Sequence, residues 1–428
     1  NAGQYGDLHA ITQMDDPMMC DVLRSCARGR PVISAEMLVH FGYTLDLPEP
    51  ASASTIKRYV FTGIAADLKG FIFWQYRPET LGREAPAWGL TLPDGSSTPT
   101  LEAFISVNSV LQKRAPFLLD AAPAKAQVAM LYIPENQVFG WAASGSEKTV
   151  TDSLLGMHGA LYANNFIVDF IHPREITPDL LGAYRVVIVP FPYCLSEQIC
   201  SALERWVAAG GLLIGESYFA GWDIERGRHQ TTIPGYGLHR MFRARQGMVR
   251  PALADGSVDI TVTEDLPLCP KGTHVSGAIV REELVSEGAQ VLAAFDDKGP
   301  ALTAAPHGQG EAVLIGSYLG LSYLRHGLEA NADLIASLIE RTVAIARPVA
   351  SPRGRVRVDV LSAPNGGRMV IMQNLKDDPF TGSVAVPGLP ACRMHEEFDG
   401  ESLVWTAEGT GACAQVQLRA REVRVYYG

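Results

Sequence analysis

The stretches Pro31–Met37 (PVISAEM) and Gly70–Gln75 (GFIFWQ) decide the fold of the N-terminal part of this chain. Each is a short apolar run, and Ala53–Leu68 between them has apolar residues at helical spacing. A helix is predicted at Met18–Arg28, before the first run. Continuous apolar strands that alternate with helices indicate βαβ units and a parallel sheet buried on both faces.

Two further elements extend this pattern outward. We predict a short strand at Leu8–Gln13 and a helix around Pro99–Leu111. Three parallel strands alone would leave the edges of the sheet open, so this segment is expected to belong to a larger fold. The sequence starts at Asn1 rather than at a methionine, and we expect the remaining strands of that fold upstream of it.

A second α/β pattern begins after the linker Ala121–Ala124. Its predicted strands and helices alternate as in a self-contained doubly wound domain that closes with a helix at Leu328–Ala346. The predicted elements are strands at Gln127–Ile133, Phe166–Ile171, Arg185–Pro190, Gly211–Gly215, Val258–Ile260, Val291–Phe295, Ala301–Ala304 and Glu311–Ile315, and helices at Val150–Asn164 and Ser196–Ala209.

The segment Arg347–Gly354 (RPVASPRG) has the composition of a linker. Short alternating stretches divided by Gly, Pro and Asn follow it, which predicts a small all-β sandwich of about 80 residues. Its predicted strands are Val356–Leu361, Met369–Gln373, Ser383–Val386, Leu403–Thr406, Ala414–Leu418 and Val423–Tyr427.

Composition excludes several classes of protein. The net charge of -10 argues against a nucleic-acid-binding protein, which normally needs a basic face. No apolar stretch reaches the roughly 20 residues that span a bilayer, so no membrane partner is expected. The seven cysteines are odd in number and never spaced as CxxC, and the histidines lack metal-ligand spacing. We therefore expect no disulfide framework, no metal site and a cytoplasmic location.

Glu36 is the first candidate catalytic residue, because it ends an otherwise apolar strand. In a (β/α)8 barrel the carboxyl ends of the strands form the active-site face, and a carboxylate there is a catalytic candidate. The alternative is a solvated or ion-paired loop glutamate.

The next strand ends in an aromatic and cationic run from Trp74 to Glu79 (WQYRPE). Such side chains suit a sugar, since its apolar C–H faces stack on aromatic rings and its hydroxyls need polar partners. Trp74 could equally be a core residue at the mouth of a barrel, and the loop residues Glu84 and Trp88 have the same two interpretations.

Three segments together resemble the end of the catalytic barrel of glycoside hydrolase family 42, the trimeric β-galactosidases. They are Arg24–Glu36 (RSCARGRPVISAE), Gly70–Gly89 (GFIFWQYRPETLGREAPAWG) and Asp94–Pro99 (DGSSTP). The resemblance implies that Glu36 is the nucleophile of a retaining glycosidase. It also implies that Trp74, Arg77, Glu84 and Trp88 shape the sugar subsite.

The family's order of domains matches the rest of the chain. The resemblance implies residues 1–120 as the C-terminal part of the (β/α)8 barrel, 125–346 as a glutamine-amidotransferase-like trimerisation domain and 355–428 as the β-sandwich. The run Phe219–Asp223 (FAGWD) and the Pro234-Gly235 pair fit the family's middle domain. A β-galactoside or arabinopyranoside oligosaccharide substrate, a homotrimer and no cofactor are the expectations that follow.

This sequence departs from the family's pattern at the acid/base residue. Retaining glycosidases need two carboxyl groups about 5–5.5 Å apart, and in this family the acid/base follows an asparagine. The sequence has no Asn-Glu pair, and its Glu135-Asn136 pair lies in the middle domain. The acid/base is therefore expected upstream, and a non-catalytic assembly or carbohydrate-binding protein remains the alternative.

A third hypothesis is an amidotransferase-like hydrolase that uses Ser217, since no cysteine follows Gly211–Gly215.

Overall fold

The computed structural model describes residues 8–41, 49–82 and 85–428 of the chain. The chain divides into two compact units. One unit is Lys125–Ala346, and the other combines the described residues up to Ala124 with Arg347–Gly428. The chain has a mixed α/β structure, and the strands near its C-terminus form an entirely antiparallel sheet of their own.

The N-terminal part contains a parallel βαβ unit, as the sequence predicts. Strands β1 and β4 pair in parallel, with Ile33 opposite Gly70 and Leu38 opposite Trp74. The elements in chain order are α1 (Leu8–Ala27), β1 (Val32–Leu38), β2 (His40–Phe41), β3 (Glu49–Pro50), α2 (Ala53–Ala65), β4 (Leu68–Trp74) and α3 (Pro99–Asp120).

The prediction of a strand at Leu8–Gln13 is wrong, because these residues form the first turns of α1. In the sequence, Leu8, Ile11 and Met14 recur every third residue, which fits the helical period better than the alternation of a strand. The predicted helix Met18–Arg28 is the second half of the same helix.

Side-chain caps fix where helices α2 and α3 begin. The Ser52 hydroxyl accepts a hydrogen bond from the Thr55 amide at 3.2 Å before α2. The Thr98 hydroxyl accepts one from the Leu101 amide at 3.1 Å, and Pro99 occupies the first position of α3. Both arrangements satisfy amides that the first helical turn leaves unpaired.

The same unit has one core shared by its N-terminal helices and its C-terminal strands. Phe61 of α2 and Val110 of α3 are buried in a cluster with Ile371 and Val425. At the edge of this core, Arg114 of α3 donates to the buried carboxylate of Glu397 at 2.6 Å. The C-terminal strands therefore cover the outer face of the βαβ helices.

The middle unit is built on a nine-stranded sheet of order β13-β12-β15-β16-β17-β8-β7-β5-β6. The run β6-β5-β7-β8-β17 is parallel, and the remaining neighbours are antiparallel. The strands are β5 (Val128–Leu131), β6 (Val168–Ile171), β7 (Val186–Val189), β8 (Leu212–Gly215), β12 (Ser257–Val262), β13 (His274–Ala278), β15 (Gln290–Phe295), β16 (Pro300–His307) and β17 (Gly310–Ile315).

Helices and short strands complete this unit. The helices are α4 (Pro134–Ser144), α5 (Lys148–Ala163), α6 (Pro178–Gly182), α7 (Glu197–Ala208), α8 (His239–Phe242), α9 (Leu319–His326) and α10 (Glu329–Glu340). The short strands are β9 (Trp222–Asp223) and β10 (Arg228–His229), and β11 (Ala244–Pro251) pairs with β14 (Val280–Ser286). Helices α5 and α9 touch so closely that a Cβ atom on Gly156 would lie 1.9 Å from the Gly320 carbonyl oxygen.

The C-terminal strands form one continuous antiparallel sheet of order β18-β21-β24-β23-β22-β25-β20-β19. Residues from both ends of the sheet, such as Val358 and Val384, enter one buried core with Trp405. The sequence predicted two packed sheets, but the added strand β22 pairs with both β23 and β25 and so links the predicted strands into a single curled sheet. The strands are β18 (Val349–Ser351), β19 (Val356–Ser362), β20 (Arg368–Asn374), β21 (Phe380–Pro387), β22 (Cys392–Glu396), β23 (Ser402–Glu408), β24 (Gly411–Leu418) and β25 (Val423–Tyr427).

Candidate active site

Glu36 lies in an irregular part of β1. Ser34 pairs with Phe71 and Met37 pairs with Phe73, so Ala35 and Glu36 together lie opposite the single residue Ile72. The extra residue is a bulge, a feature that often redirects a side chain next to an active site. The Glu36 side chain is exposed. The strand therefore presents a solvated carboxylate near its carboxyl end.

Trp74 ends the neighbouring strand and pairs with Leu38. Because β1 and β4 are parallel, the structure brings Glu36 and Trp74 to the same end of the sheet. The Trp74 side chain is 40% exposed and shares its side of β4 with exposed Ile72. This face of the two strands is apolar and open, whereas Phe71 and Phe73 on the other face pack toward the helices.

The loop after β4 folds back along the end of the strand. The Gln75 amide donates to the Trp88 carbonyl oxygen at 2.5 Å, and the Leu90 amide donates to the Gln75 carbonyl at 2.8 Å. Trp88 has a left-handed backbone with φ of 70°, and its side chain is buried. The structure thus places Trp88 directly beside the end of β4, with most of its indole covered.

Arg77 stabilises the same loop. Its Nε and Nη2 atoms both donate to the carbonyl oxygen of Pro93, at 2.9 and 2.6 Å. Tyr76 next to it is largely exposed. Glu84, the remaining predicted sugar-binding residue, lies outside the residues that the structure describes.

The middle unit contains two buried carboxyl groups that no motif in the sequence predicts. Glu216 follows β8 and accepts hydrogen bonds from the Phe191 amide at 3.2 Å, the Gly320 amide at 3.1 Å and the Ser153 hydroxyl at 3.3 Å. Burial raises the pKa of Glu216 to about 7, although these donors oppose the rise. Its place directly after an apolar strand was the only sequence signal.

The second buried carboxyl belongs to Glu282 of β14. It accepts the Ser217 hydroxyl hydrogen and the Tyr218 amide, the latter at 2.7 Å. Burial raises the pKa of Glu282 as well, and its two donors oppose that rise. Ser217 is buried, and its hydroxyl is hydrogen-bonded to a carboxylate, whereas a serine hydrolase would place a histidine there. This environment argues against the hypothesis of a hydrolase that uses Ser217.

Cys194 also fits a structural role. The thiol is buried, and burial raises its pKa to about 12, so it is protonated at neutral pH. In residues 8–41, 49–82 and 85–428, no group of three or more His, Cys, Asp or Glu side chains could hold a metal ion. No helix in the described part of the chain is both long and apolar enough to cross a membrane.

Comparison with known families identifies the middle unit. Residues 126–344 match the family model described as the beta-galactosidase trimerisation domain. The chain belongs to glycoside hydrolase family 42. This confirms the resemblance drawn from the barrel segments, and it rests on a different part of the chain.

Curated relatives and solved structures agree with this assignment. Beta-galactosidase BgaB of a Geobacillus species is 28% identical over 354 residues, covering 76% of this chain and 47% of the relative. Beta-galactosidase LacZ of Heyndrickxia coagulans is 29% identical over 188 residues, covering 41% of this chain and 25% of the relative. The chain therefore spans about half the length, or less, of the curated relatives that it matches.

Two solved structures show the same fold. A catalytic mutant of Gan42B, a family 42 beta-galactosidase from G. stearothermophilus, has a TM-score of 0.77 at 18% identity. The match covers 97% of this chain and 56% of that one. The beta-galactosidase of Bacillus circulans sp. alkalophilus has a TM-score of 0.75 at 20% identity, with coverages of 97% and 57%.

Proposed function

We propose that this chain supplies the nucleophile and part of the sugar site of a retaining glycoside hydrolase. Its substrates would be oligosaccharides with terminal β-linked galactose or arabinopyranose. The observation that carries the proposal is the exposed Glu36 carboxylate at the carboxyl end of β1, next to the strand that ends in Trp74. The curated relatives, which are named beta-galactosidases, support this substrate class.

The chemistry assigns Glu36 the first step. Its carboxylate attacks the anomeric carbon and forms a covalent glycosyl–enzyme ester, while an acid protonates the departing glycosidic oxygen. The residue that acted as the acid then acts as a base and activates a water molecule. This water hydrolyses the ester and releases the sugar with its anomeric configuration retained. The acid/base belongs in our proposal to polypeptide upstream of Asn1.

The open apolar face of β1 and β4 supports this arrangement. Ile33 and Ile72 are exposed on these strands, where a complete (β/α)8 barrel would bury such side chains in its interior. We therefore assign residues 1–120 to the C-terminal part of such a barrel. Residues 125–346 would be the amidotransferase-like trimerisation domain, and residues 355–428 the small C-terminal β domain.

The sugar subsite is proposed to use the residues around the end of β4. Trp74 offers a partly exposed ring for stacking. Arg77 and Trp88 would shape the wall of the subsite through the loop contacts to Pro93 and Gln75. Glu84 is proposed to bind sugar hydroxyls. This chemistry requires no cofactor.

We also propose a homotrimer assembled through the middle domain, which the name of the matching family model supports. A cytoplasmic location is the further proposal. The seven cysteines are all unpaired in the structure, which is the usual state in a reducing compartment.

The test compares Glu36→Gln with Glu79→Gln in the complete protein that contains this chain. Glu36→Gln keeps the side-chain shape but removes the nucleophile, and we expect kcat to fall by several orders of magnitude. Glu79 is an exposed loop residue, so its variant is the matched control and should retain most activity.

Covalent labelling gives an independent measurement. A 2-fluoro-galactoside with a good leaving group should form a stable ester on Glu36 that peptide mass spectrometry locates. Labelling of Glu79 or Glu84, or near-normal turnover by Glu36→Gln, would place the nucleophile elsewhere. Galactoside binding without turnover by the wild-type protein would instead indicate the non-catalytic alternative.

A further inference from the structure

The middle unit has an open groove beside helix α4. The groove has a volume of about 510 Å³, and its apolar lining includes Val138, Phe139, Trp222 and Ile224. It lies where the order of the parallel strands reverses between β5 and β7, the place where doubly wound domains commonly bind a ligand. The charged side chains along it are Glu135 and Arg174. Mainly apolar walls favour an apolar side chain over a polar ligand.

The rim of this α4 groove is unusually apolar for a surface. Val138, which lines the groove, is 68% exposed, and Trp141, three residues further along the same helix, is 64% exposed. Their spacing of three residues puts them on one side of α4. Large exposed apolar residues around a groove mark interaction surfaces, and tryptophan is among the residues that contribute most to binding.

Exposed apolar side chains also lie on a different element of the same unit. Met248 of β11 is 61% exposed, and Leu253 in the following turn is 58% exposed. Gln246 pairs with Leu284 and Val249 with Glu282, so Met248 belongs to a bulge in β11. We refer to Met248 and Leu253 as the β11 patch.

We infer that the α4 groove of one copy of this chain receives the β11 patch of a second copy, and that three such contacts close a ring. This inference rests on the proposed homotrimer. A cyclic trimer needs two different surfaces on each subunit, because its contacts are head-to-tail. Both surfaces lie within residues 126–344, which match the trimerisation domain.

The chemistry of the two surfaces is complementary. The methionine thioether is flexible and attracts aromatic rings, and Phe139 and Trp222 line the groove that would receive it. These rings already cluster, with centroids 5.5 Å apart. Burial of Val138, Trp141 and Met248 at one contact would remove the largest exposed apolar side chains of both surfaces from water.

The test uses sedimentation velocity on the complete protein that contains this chain, at micromolar concentration. Wild-type chain should sediment as a trimer, and Trp141→Glu and Met248→Glu should each sediment as monomers. A hot-spot loss corresponds to at least about 30-fold weaker association per contact. Val404→Glu is the control, because Val404 is an exposed apolar residue of the C-terminal sheet, and it should remain trimeric. Unchanged circular dichroism verifies folding, and Val138→Lys provides a second groove variant.

Mixing the two monomeric variants identifies which surfaces meet. The Met248→Glu chain keeps an intact groove and the Trp141→Glu chain keeps an intact β11 patch, so the mixture should form a heterodimer that cannot close a ring. Absence of this heterodimer, or trimers that persist in either variant, would refute the pairing of surfaces. A monomeric wild-type chain would also overturn the homotrimer, whereas the labelling of Glu36 tests catalysis independently.

Discussion

Glu216 makes the stability of the middle unit dependent on pH. Its carboxyl group is fully buried, and burial raises its pKa from 4.5 to about 7. In the unfolded chain the group recovers its ordinary pKa, so the folded state binds more protons between these two values. The stabilising contribution is therefore complete below pH 4.5 and is lost as the pH rises through about 7.

The size of this effect follows from the two pKa values. A difference of one pKa unit corresponds to about 1.4 kcal/mol. The free energy of unfolding of the middle unit should therefore fall by about 3 kcal/mol between pH 4.5 and pH values above 7. Ionised Glu216 would then lie in the core with only neutral donors around it.

The substitution Glu216→Gln removes the ionisable group and keeps its shape. The amide nitrogen of glutamine must face the Phe191 amide or the Gly320 amide, both of which are donors, so the variant should be about 1–3 kcal/mol less stable than wild-type protein with protonated Glu216. The variant should be less stable than wild type at pH 5. This difference in the free energy of unfolding should shrink by about 3 kcal/mol by pH 8, because the wild-type protein loses the contribution of Glu216.

Urea unfolding at pH 5, 6, 7 and 8 measures this difference. Hydrogen-exchange pulses read by mass spectrometry on peptides from Lys125–Ala346 assign the transition to the middle unit. Glu264→Gln changes an exposed glutamate of the same unit and should follow the wild-type pH dependence. If Glu216→Gln keeps the wild-type slope of unfolding free energy against pH, Glu216 is not the titrating group.

Two glycine substitutions give further predictions. Gly156→Ala would force a Cβ atom to within 1.9 Å of the Gly320 carbonyl oxygen, so the free energy of unfolding should drop by about 1–3 kcal/mol. Gly182 occupies an open helix position, so Gly182→Ala is the control and should be neutral or stabilising in the same urea titration. Gly89→Ala would bring a Cβ atom to 2.2 Å from Pro78 Cδ and displace the loop beside β4. We expect at least a tenfold lower kcat/KM for galactosides at unchanged global stability, and normal kinetics would show that this loop does not shape the subsite.

The sequence determined the local elements because their causes lie in neighbouring residues. The apolar runs around Ile33 and Ile72 specify strands, and the caps at Ser52 and Thr98 specify where helices start. The position of Glu36 at the end of an apolar run was also visible, because a charge after such a run marks the end of a buried strand. Family membership followed from the same local segments.

The tertiary structure decided the relations between distant residues. The bulge that exposes Glu36 depends on the register of β1 against β4, and the register is set by packing on both strands at once. The Trp88 carbonyl meets the Gln75 amide only after the loop between them closes. The Ser217–Glu282 contact likewise joins residues 65 positions apart, which no local period encodes.

The packing of the N-terminal helices against the C-terminal sheet is the largest feature that the tertiary structure decided and the local sequence did not. Composition marks Arg347–Gly354 as a linker, which alone suggests that the strands beyond it fold separately. In the structure Phe61 and Ile371 belong to one core, and Arg114 reaches Glu397. Periodicity shows which face of an element is apolar, but the partner that covers the face is chosen by the shape and burial of the whole unit.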